Sequence, residues 1–280
     1  MLKIEVCATS ANLCVGYDVL GIALDIKNSF TFSPSKSFLF GGFEDKYANL
    51  DNLVYRSYCY VFSKMGRDPI PVKIEYEGAI PISRGLGSSS SLIVAGVFAA
   101  NHFLNQHFTK EELFNFCVEL EGHPDNVAAA IYGGLVASFQ NEGSYIPICY
   151  EVSEDLCFTV IIPPYEVSTT EARAVLPKQY SITDIHENLS RIIHIPLAFK
   201  TGNIGLLRAL FQDRIHEPYR KALIPEYEFF KELCKDRAFA ISGSGSTMLA
   251  IGKNELNFSK EGYRIETVKI AKGIHIITEE

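Results

Sequence analysis

Residues 84–91, Arg-Gly-Leu-Gly-Ser-Ser-Ser-Ser, join two glycines to four consecutive serines. Glycine lets backbone approach a ligand closely, and from Ser90 to Leu104 the chain is apolar on nearly every side, as in a buried helix. A helix rising directly from such a loop offers unpaired N–H donors and the positive end of its dipole. That is an anion site, and the hydroxyls can bond phosphate oxygens or complete the shell of a magnesium ion, which takes oxygen ligands and keeps several waters. A serine cap after a flexible turn would explain the same residues without a ligand. Two common nucleotide motifs are excluded. No lysine follows the glycines, as G-x-x-x-x-G-K-S/T requires, and Ser90 stands where the third glycine of G-x-G-x-x-G belongs. A phosphate site here belongs to another fold.

The elements that must carry this loop can be traced from periodicity. Leu2, Ile4 and Val6 alternate as in a half-buried strand, and a second extended region is expected from about Ile22 to Phe32, with Asn12 to Asp18 as a loop between them. Val54, Tyr58, Val61 and Met65 recur at helical spacing, stopped by Gly66 and Pro69. Pro71 to Glu77 alternates again and leads through Pro81 into the glycine loop. After the apolar helix, Thr109 and Glu112 form a capping box that opens a helix with Leu113, Phe116, Cys117 and Leu120 on one stripe. Gly122-His123-Pro124-Asp125-Asn126 breaks it, and Val127 to Ile131 restart it. Beyond about residue 150 the pattern resets. A strand at Cys157 to Ile162 precedes helices, then strands around Ala238 to Ile241, Thr247 to Ile251 and Arg264 to Ile270. The expectation is an α+β protein of two packed units, 1–150 and 151–280.

Composition narrows the class. The 280 residues are 47% hydrophobic and 21% charged, the balance of a globular chain with ample core material, and the net charge of -7 gives no footprint for nucleic acid. Seven cysteines without Cys-x-x-Cys spacing suit a reducing cytosol, so a cytoplasmic location is expected. No stretch approaches the ~20 apolar residues of a bilayer span, and the alternating N-terminus is unlike a signal peptide.

Five segments, spread over almost the whole chain, together resemble a known superfamily. They are Ala8-Thr9-Ser10-Ala11-Asn12-Leu13 with Gly16-Tyr17-Asp18, Glu121-Gly122-His123-Pro124-Asp125-Asn126-Val127-Ala128, Glu166-Val167-Ser168-Thr169-Thr170-Glu171-Ala172-Arg173, His216-Glu217-Pro218-Tyr219-Arg220, and Ile241-Ser242-Gly243-Ser244-Gly245-Ser246-Thr247. With the glycine-serine loop they resemble the small-metabolite kinases that include galactokinase, mevalonate kinase and phosphomevalonate kinase, and within that superfamily the homoserine kinases. The resemblance implies an N-terminal domain like domain 2 of ribosomal protein S5, a ferredoxin-like C-terminal domain and an active site in the cleft between them. It also implies ATP and Mg2+, L-homoserine as the small-molecule substrate, a place in threonine biosynthesis, and a homodimer. Val15 stands where relatives usually have proline, and some carry alanines at Ser90 and Ser91; neither departure removes a charged group.

Homoserine is a zwitterion with a primary hydroxyl, so its site needs an anion, a cation and room for phosphoryl transfer. By resemblance Asp18 and Asn12 lie near the ammonium, while Arg173 and Arg220 grip the carboxylate with Thr169 on the same helix face as Arg173. Glu121 and Ser89 would hold the metal, with Glu119 a competitor for Glu121. His123 and Asn126 lie at the reacting hydroxyl. Asn126 would orient it and Asp125 would be structural, although an adjacent carboxylate could be argued as a base. Asn52, Pro81, Arg84, Gly85, Leu86, Gly87, Ser88, Ser89 and Ser90 are expected around the nucleotide, and Ser242 to Ser246 behind its loop. The rival readings are a mevalonate-type kinase, against which Asp18 discriminates, and a non-catalytic ligand sensor on the same fold.

Overall fold

The computed structural model describes residues 1–278. A seven-stranded sheet is built on β1 (Leu2–Ala11) and the long β2 (Leu20–Pro34), antiparallel along their length with a register shift between Cys7 and Ala8. β3 (Leu39–Gly41) and α1 (Leu53–Lys64) precede β4 (Val72–Gly78), which pairs with the C-terminal half of β2 and carries β3 as a parallel edge. Three helices follow, α2 (Ser88–Phe103), α3 (Lys110–Glu121) and α4 (Asp125–Tyr132). The hairpin β5 (Leu135–Asn141) and β6 (Ser144–Tyr150) then closes on the N-terminal half of β2.

The second unit begins with β7 (Cys157–Ile162) and continues through α5 (Thr169–Ala174), α6 (Ile182–Ile192), α7 (Ile195–Thr201), α8 (Ile204–Leu210), α9 (Glu217–Arg220) and α10 (Tyr227–Leu233). β8 (Ala238–Ile241), β9 (Met248–Gly252) and β10 (Arg264–Val268) complete a four-stranded antiparallel sheet in the order β10-β7-β9-β8, the strand order of a ferredoxin-like unit. The chain then returns, and β11 (His275–Thr278) pairs with the start of β1 in the first sheet.

Two large cores position the site, and a third packs α10 on the outer face of the second sheet. Leu2, Ile4, Val6, Phe30 and Phe32 face α1 to α4, where α2 is apolar all round and buried accordingly. The opposite face of the first sheet, with Leu20, Ile22 and Leu24, packs with Phe158, Val160, Leu249 and Ile251 of the second sheet and with Phe199 of α7. Each such fully buried side chain contributes roughly 1.5–3 kcal/mol. This shared core locks the two α+β units together, and the glycine loop lies along their seam.

Two helices start earlier than apolar periodicity indicates. α2 begins at Ser88 because Gly87, in the left-handed region at φ 70°, turns the chain into it. α4 begins at Asp125, whose Oδ1 accepts the Asn126 N–H at 2.8 Å. The Thr109–Glu112 capping box is present, and no described helix is long and apolar enough to cross a membrane.

Candidate active site

Between the units lies a cavity of about 410 Å³, a volume suited to a small-molecule ligand. Gly85, Gly87, Ser88 and Ser89 line it, so the start of the 16-residue α2 opens on it. First-turn N–H groups have no carbonyl four residues back, and they present partial positive charge to the cavity. The loop is held from behind. Ser242 donates its hydroxyl to the Gly85 carbonyl at 2.7 Å, Thr247 N–H donates to the Arg84 carbonyl at 3.1 Å, and Thr9 N–H donates to the Leu86 carbonyl at 3.1 Å. Ser242 lies behind the loop as expected of Ser242 to Ser246, and Thr247, just beyond them, adds a second support.

Glu121, the last residue of α3, reaches the same helix start. Its Oε2 accepts from the Ser89 hydroxyl at 3.0 Å and its Oε1 from Ser90 at 2.6 Å. Glu119 is turned elsewhere, paired with Lys64 at 2.8 Å and hydrogen-bonded by the Tyr60 hydroxyl. Residues separated by one position on a helix diverge, and here only Glu121 lines the cavity.

The helix break supplies the next group. His123 Nδ1 lies 2.7 Å from Oδ1 of the buried Asp125, rather than on backbone. Burial works against charge on His123, but this carboxylate outweighs it, and the imidazole pKa is raised above its ordinary value. Asn126 accepts the Thr9 hydroxyl on Oδ1 at 2.7 Å, which leaves its Nδ2 donor for the cavity. Thr9 had no role assigned from sequence, although it lies inside the first matching segment.

The acceptor side is charged. Arg173 grips Asp18 with both terminal nitrogens, at 2.9 and 3.1 Å, and also donates to the Tyr17 hydroxyl at 2.8 Å. Asp18 N–H donates to Asn12 Oδ1 at 3.0 Å, and Asn12 Nδ2 donates to the Gly243 carbonyl at 2.8 Å. Arg220 is buried, donating to the carbonyls of Gly243 and Ala172, both at 3.0 Å, with its guanidinium 5.1 Å from the Tyr17 ring centre. Asp18, His123 and Asp125 bring ligand atoms within 4.8 Å of one another, an anionic corner beside two guanidiniums. Gly243 and Ser244, expected behind the nucleotide loop, line the cavity itself, and Tyr17, which carried no role in the sequence, meets both guanidiniums beside it.

A third part of the lining is aromatic and amide. Phe43 and Tyr76 stack at 4.9 Å, with Tyr47, Leu53 and Leu92 nearby in the cavity wall. Asn52 both caps α1 through Val54 N–H at 2.9 Å and lines the cavity, donating to the Tyr47 carbonyl at 2.8 Å. Of the other expected nucleotide residues, Leu86 is buried in the shared core, Ser90 is buried against Glu121, and Pro81 lies outside the lining. Arg84 lines the cavity, but its guanidinium donates to the carbonyls of Ile82, Pro163 and Pro164 and pairs with Glu166, stapling the loop to the second unit. Thr169 lines the cavity at the first turn of α5, near Arg173 as expected.

An anion-binding helix start, facing a pocket of opposed charges in a cleft between these two folds, defines a small-molecule kinase. Residues 52–134 match the sequence model of the family described as GHMP kinases N terminal domain. Homoserine kinase of Clostridium beijerinckii is 41% identical over 256 residues, covering 90% of this chain and 86% of that protein. Homoserine kinase of Clostridium botulinum (strain Eklund 17B / Type B) is 38% identical, covering 92% and 88%. The crystal structure of homoserine kinase from Cytophaga hutchinsonii superposes with a TM-score of 0.85 at 26% identity, over 99% of this chain and 97% of that one. The chain belongs to the homoserine kinase family.

Proposed function

We propose that this chain transfers the terminal phosphoryl group of ATP to the side-chain hydroxyl of L-homoserine, giving O-phospho-L-homoserine for threonine biosynthesis. The observation that carries this is the Asp18–Arg173 pair beside the start of α2. An amino-acid zwitterion can exchange for that pair, ammonium to Asp18 and carboxylate to Arg173 and Arg220, while its hydroxyl points to the phosphate end. The aromatic wall with Asn52 would take the base and the first-turn amides of α2 the phosphates.

Glu121 and Ser89 offer a carboxylate and a hydroxyl, an all-oxygen donor set of the kind magnesium prefers, and we assign them to it. The chemistry it supplies when bound is neutralisation of phosphate charge. Asn126 Nδ2 would hold the acceptor hydroxyl in line, with Thr9 fixing the amide and His123 adding a donor beside it. Asp125 is committed to the Asn126 N–H and His123, which suits a structural role. A loose phosphoryl-transfer transition state asks for positioning and charge neutralisation more than for early proton removal.

The seven unpaired cysteines accord with a cytoplasmic location. We also assign a second copy of the chain to the outer face of α6. Ile182, Ile185, Leu189 and Ile193 are exposed there, while the one buried side chain of the helix is Asn188. The apolar stripe therefore faces away from the protein. Ile185 and Ile193 are equally spaced about Leu189, so an antiparallel copy meshes around a two-fold axis at Leu189. With Leu197, also exposed, these side chains would form the core of an interface of about 800 Å² per partner. These side chains carry no charge, which suits contact between two molecules of net charge -7.

The activity is tested by incubating purified protein and ATP with homoserine, mevalonate, galactose and serine, reading products by 31P NMR. Phosphohomoserine is expected in excess over every other product. Preferred turnover of mevalonate, or none with homoserine, refutes the assignment.

A further inference from the structure

Asn12, Leu13 and Cys14 lie consecutively in the left-handed region, at φ 70, 41 and 66°. Leucine and cysteine resist that conformation, so the surrounding structure must impose it. This turn carries Asn12 and leads to Asp18, and beneath it lies a carboxylate that no step above uses. Glu217 is buried and is not part of the cavity lining. Its Oε1 accepts the Ile241 N–H at 2.6 Å, and its Oε2 faces the Cys14 thiol at 3.7 Å and the Tyr227 hydroxyl at 3.3 Å. Its own N–H donates to Asp213 at 2.7 Å, and the neighbouring His216 donates from Nε2 to the Cys14 carbonyl at 2.7 Å. His216 is neutral, its pKa pushed down to about 4 chiefly by burial, so its 3.7 Å approach to Asp213 is not an ion pair.

One side chain thus joins three segments. The left-handed turn bears Asn12 and Asp18, α9 bears Arg220, and the end of β8 leads to Gly243, whose carbonyl accepts from both Asn12 and Arg220. We infer that Glu217 is a positioning residue for amino-acid binding, fixing the ammonium-side turn and the carboxylate-side arginine at one spacing. A carboxylate is the group required, because a peptide N–H, a thiol and a phenol converge on it as donors. An amide would turn an NH2 toward two of them and leave a donor unmatched.

The inference rests on the roles proposed for Asp18 and Arg220, so its test includes a measurement independent of turnover. Kinetics and hydrogen exchange are compared for the wild type, Glu217→Gln and Glu217→Asp, with thermal melts to confirm folding. Glu217→Gln is expected to raise the KM for homoserine by about tenfold, the effect of one unmatched buried donor, with the KM for ATP unchanged. Glu217→Asp keeps the charge and should recover part of the loss. Amides of residues 12–18 and 242–245 should exchange faster in Glu217→Gln, whether or not homoserine is the acceptor.

A pH profile separates this role from general support. Burial, with Asp213 nearby and against the Ile241 N–H, raises Glu217 to about pKa 7. Of the other groups facing it, burial holds the Cys14 thiol and the Tyr227 phenol protonated and His216 neutral, while Asp213 pushes Glu217 up and Lys231 pulls it down. Wild-type kcat/KM for homoserine should fall as pH drops through about 7 more steeply than that of Glu217→Gln. Equal rises in both KM values, or unchanged exchange at 12–18, overturn the inference. If the wild type ignores homoserine while exchange at 12–18 still responds, the substrate assignment fails and the positioning role stands.

Discussion

Replacing Gly87 by alanine tests the phosphate end of the site. Gly87 sits at φ 70°, and a Cβ there would lie 2.0 Å from the Thr9 hydroxyl and 3.3 Å from Asn126 Oδ1. Left-handed alanine costs about 1 kcal/mol or more. The contact displaces the Thr9 hydroxyl and so its 2.7 Å bond to Asn126, for about 1 kcal/mol further. Gly122→Ala is the control, because Gly122 has φ 89° and nothing within 4 Å of the added carbon. It should lose only the conformational part, about 1 kcal/mol, against about 2–3 kcal/mol for Gly87→Ala. At roughly 2–4 °C per kcal/mol, thermal melts resolve the two. Kinetics should separate them more, since freeing Asn126 and crowding the start of α2 lowers kcat at least ~10-fold, about 1.4 kcal/mol of barrier. The reasoning is refuted if both variants melt alike and Gly87→Ala keeps full kcat.

Asp18→Asn should raise the KM for homoserine by about 10–100-fold through loss of a charge-assisted contact. It should move stability by no more than ~1 kcal/mol, because the Asp18–Arg173 pair is 33% and 40% exposed; a KM within twofold of wild type counts against Asp18 as the ammonium partner. Glu121→Gln is expected to raise the magnesium concentration for half-maximal activity by about tenfold, the equivalent of ~1.4 kcal/mol, whereas Glu119→Gln leaves it alone. The reverse pattern in a magnesium titration would reassign the metal ligand. Leu189→Glu should convert a dimer to a monomer in analytical ultracentrifugation, and Leu189→Cys should cross-link to its own copy. A monomeric wild type, a Leu189→Glu dimer, or wild-type flotation with lipid vesicles that this variant loses removes the assignment of α6.

What could be read from sequence depended on how local its cause is. α1, the Thr109–Glu112 capping box and β7 declare themselves within a dozen residues, because spacing, cap and stop are neighbours in the chain. The β5–β6 hairpin does not. Its turn residues Glu142 and Gly143 both have positive φ, yet glutamate occupies the first position, where asparagine or aspartate would have signalled it. β11 is four residues long and mostly exposed, and its partner β1 begins the chain, so nothing nearby marks it. The site divides the same way. Charged and hydroxyl residues in the matching segments pointed to the cavity, but the contacts that set their geometry are distant. Thr9 meets Asn126 across 117 positions and Glu217 meets Ile241 across 24, each through one polar atom that leaves no periodic trace. An acceptor pocket built this way is specified by buried donors and acceptors finding one another. Substitutions such as Glu217→Gln, which leave hydrophobic pattern and helix propensity intact, should therefore disturb amino-acid binding more than mutations of equal size on the exposed helix faces.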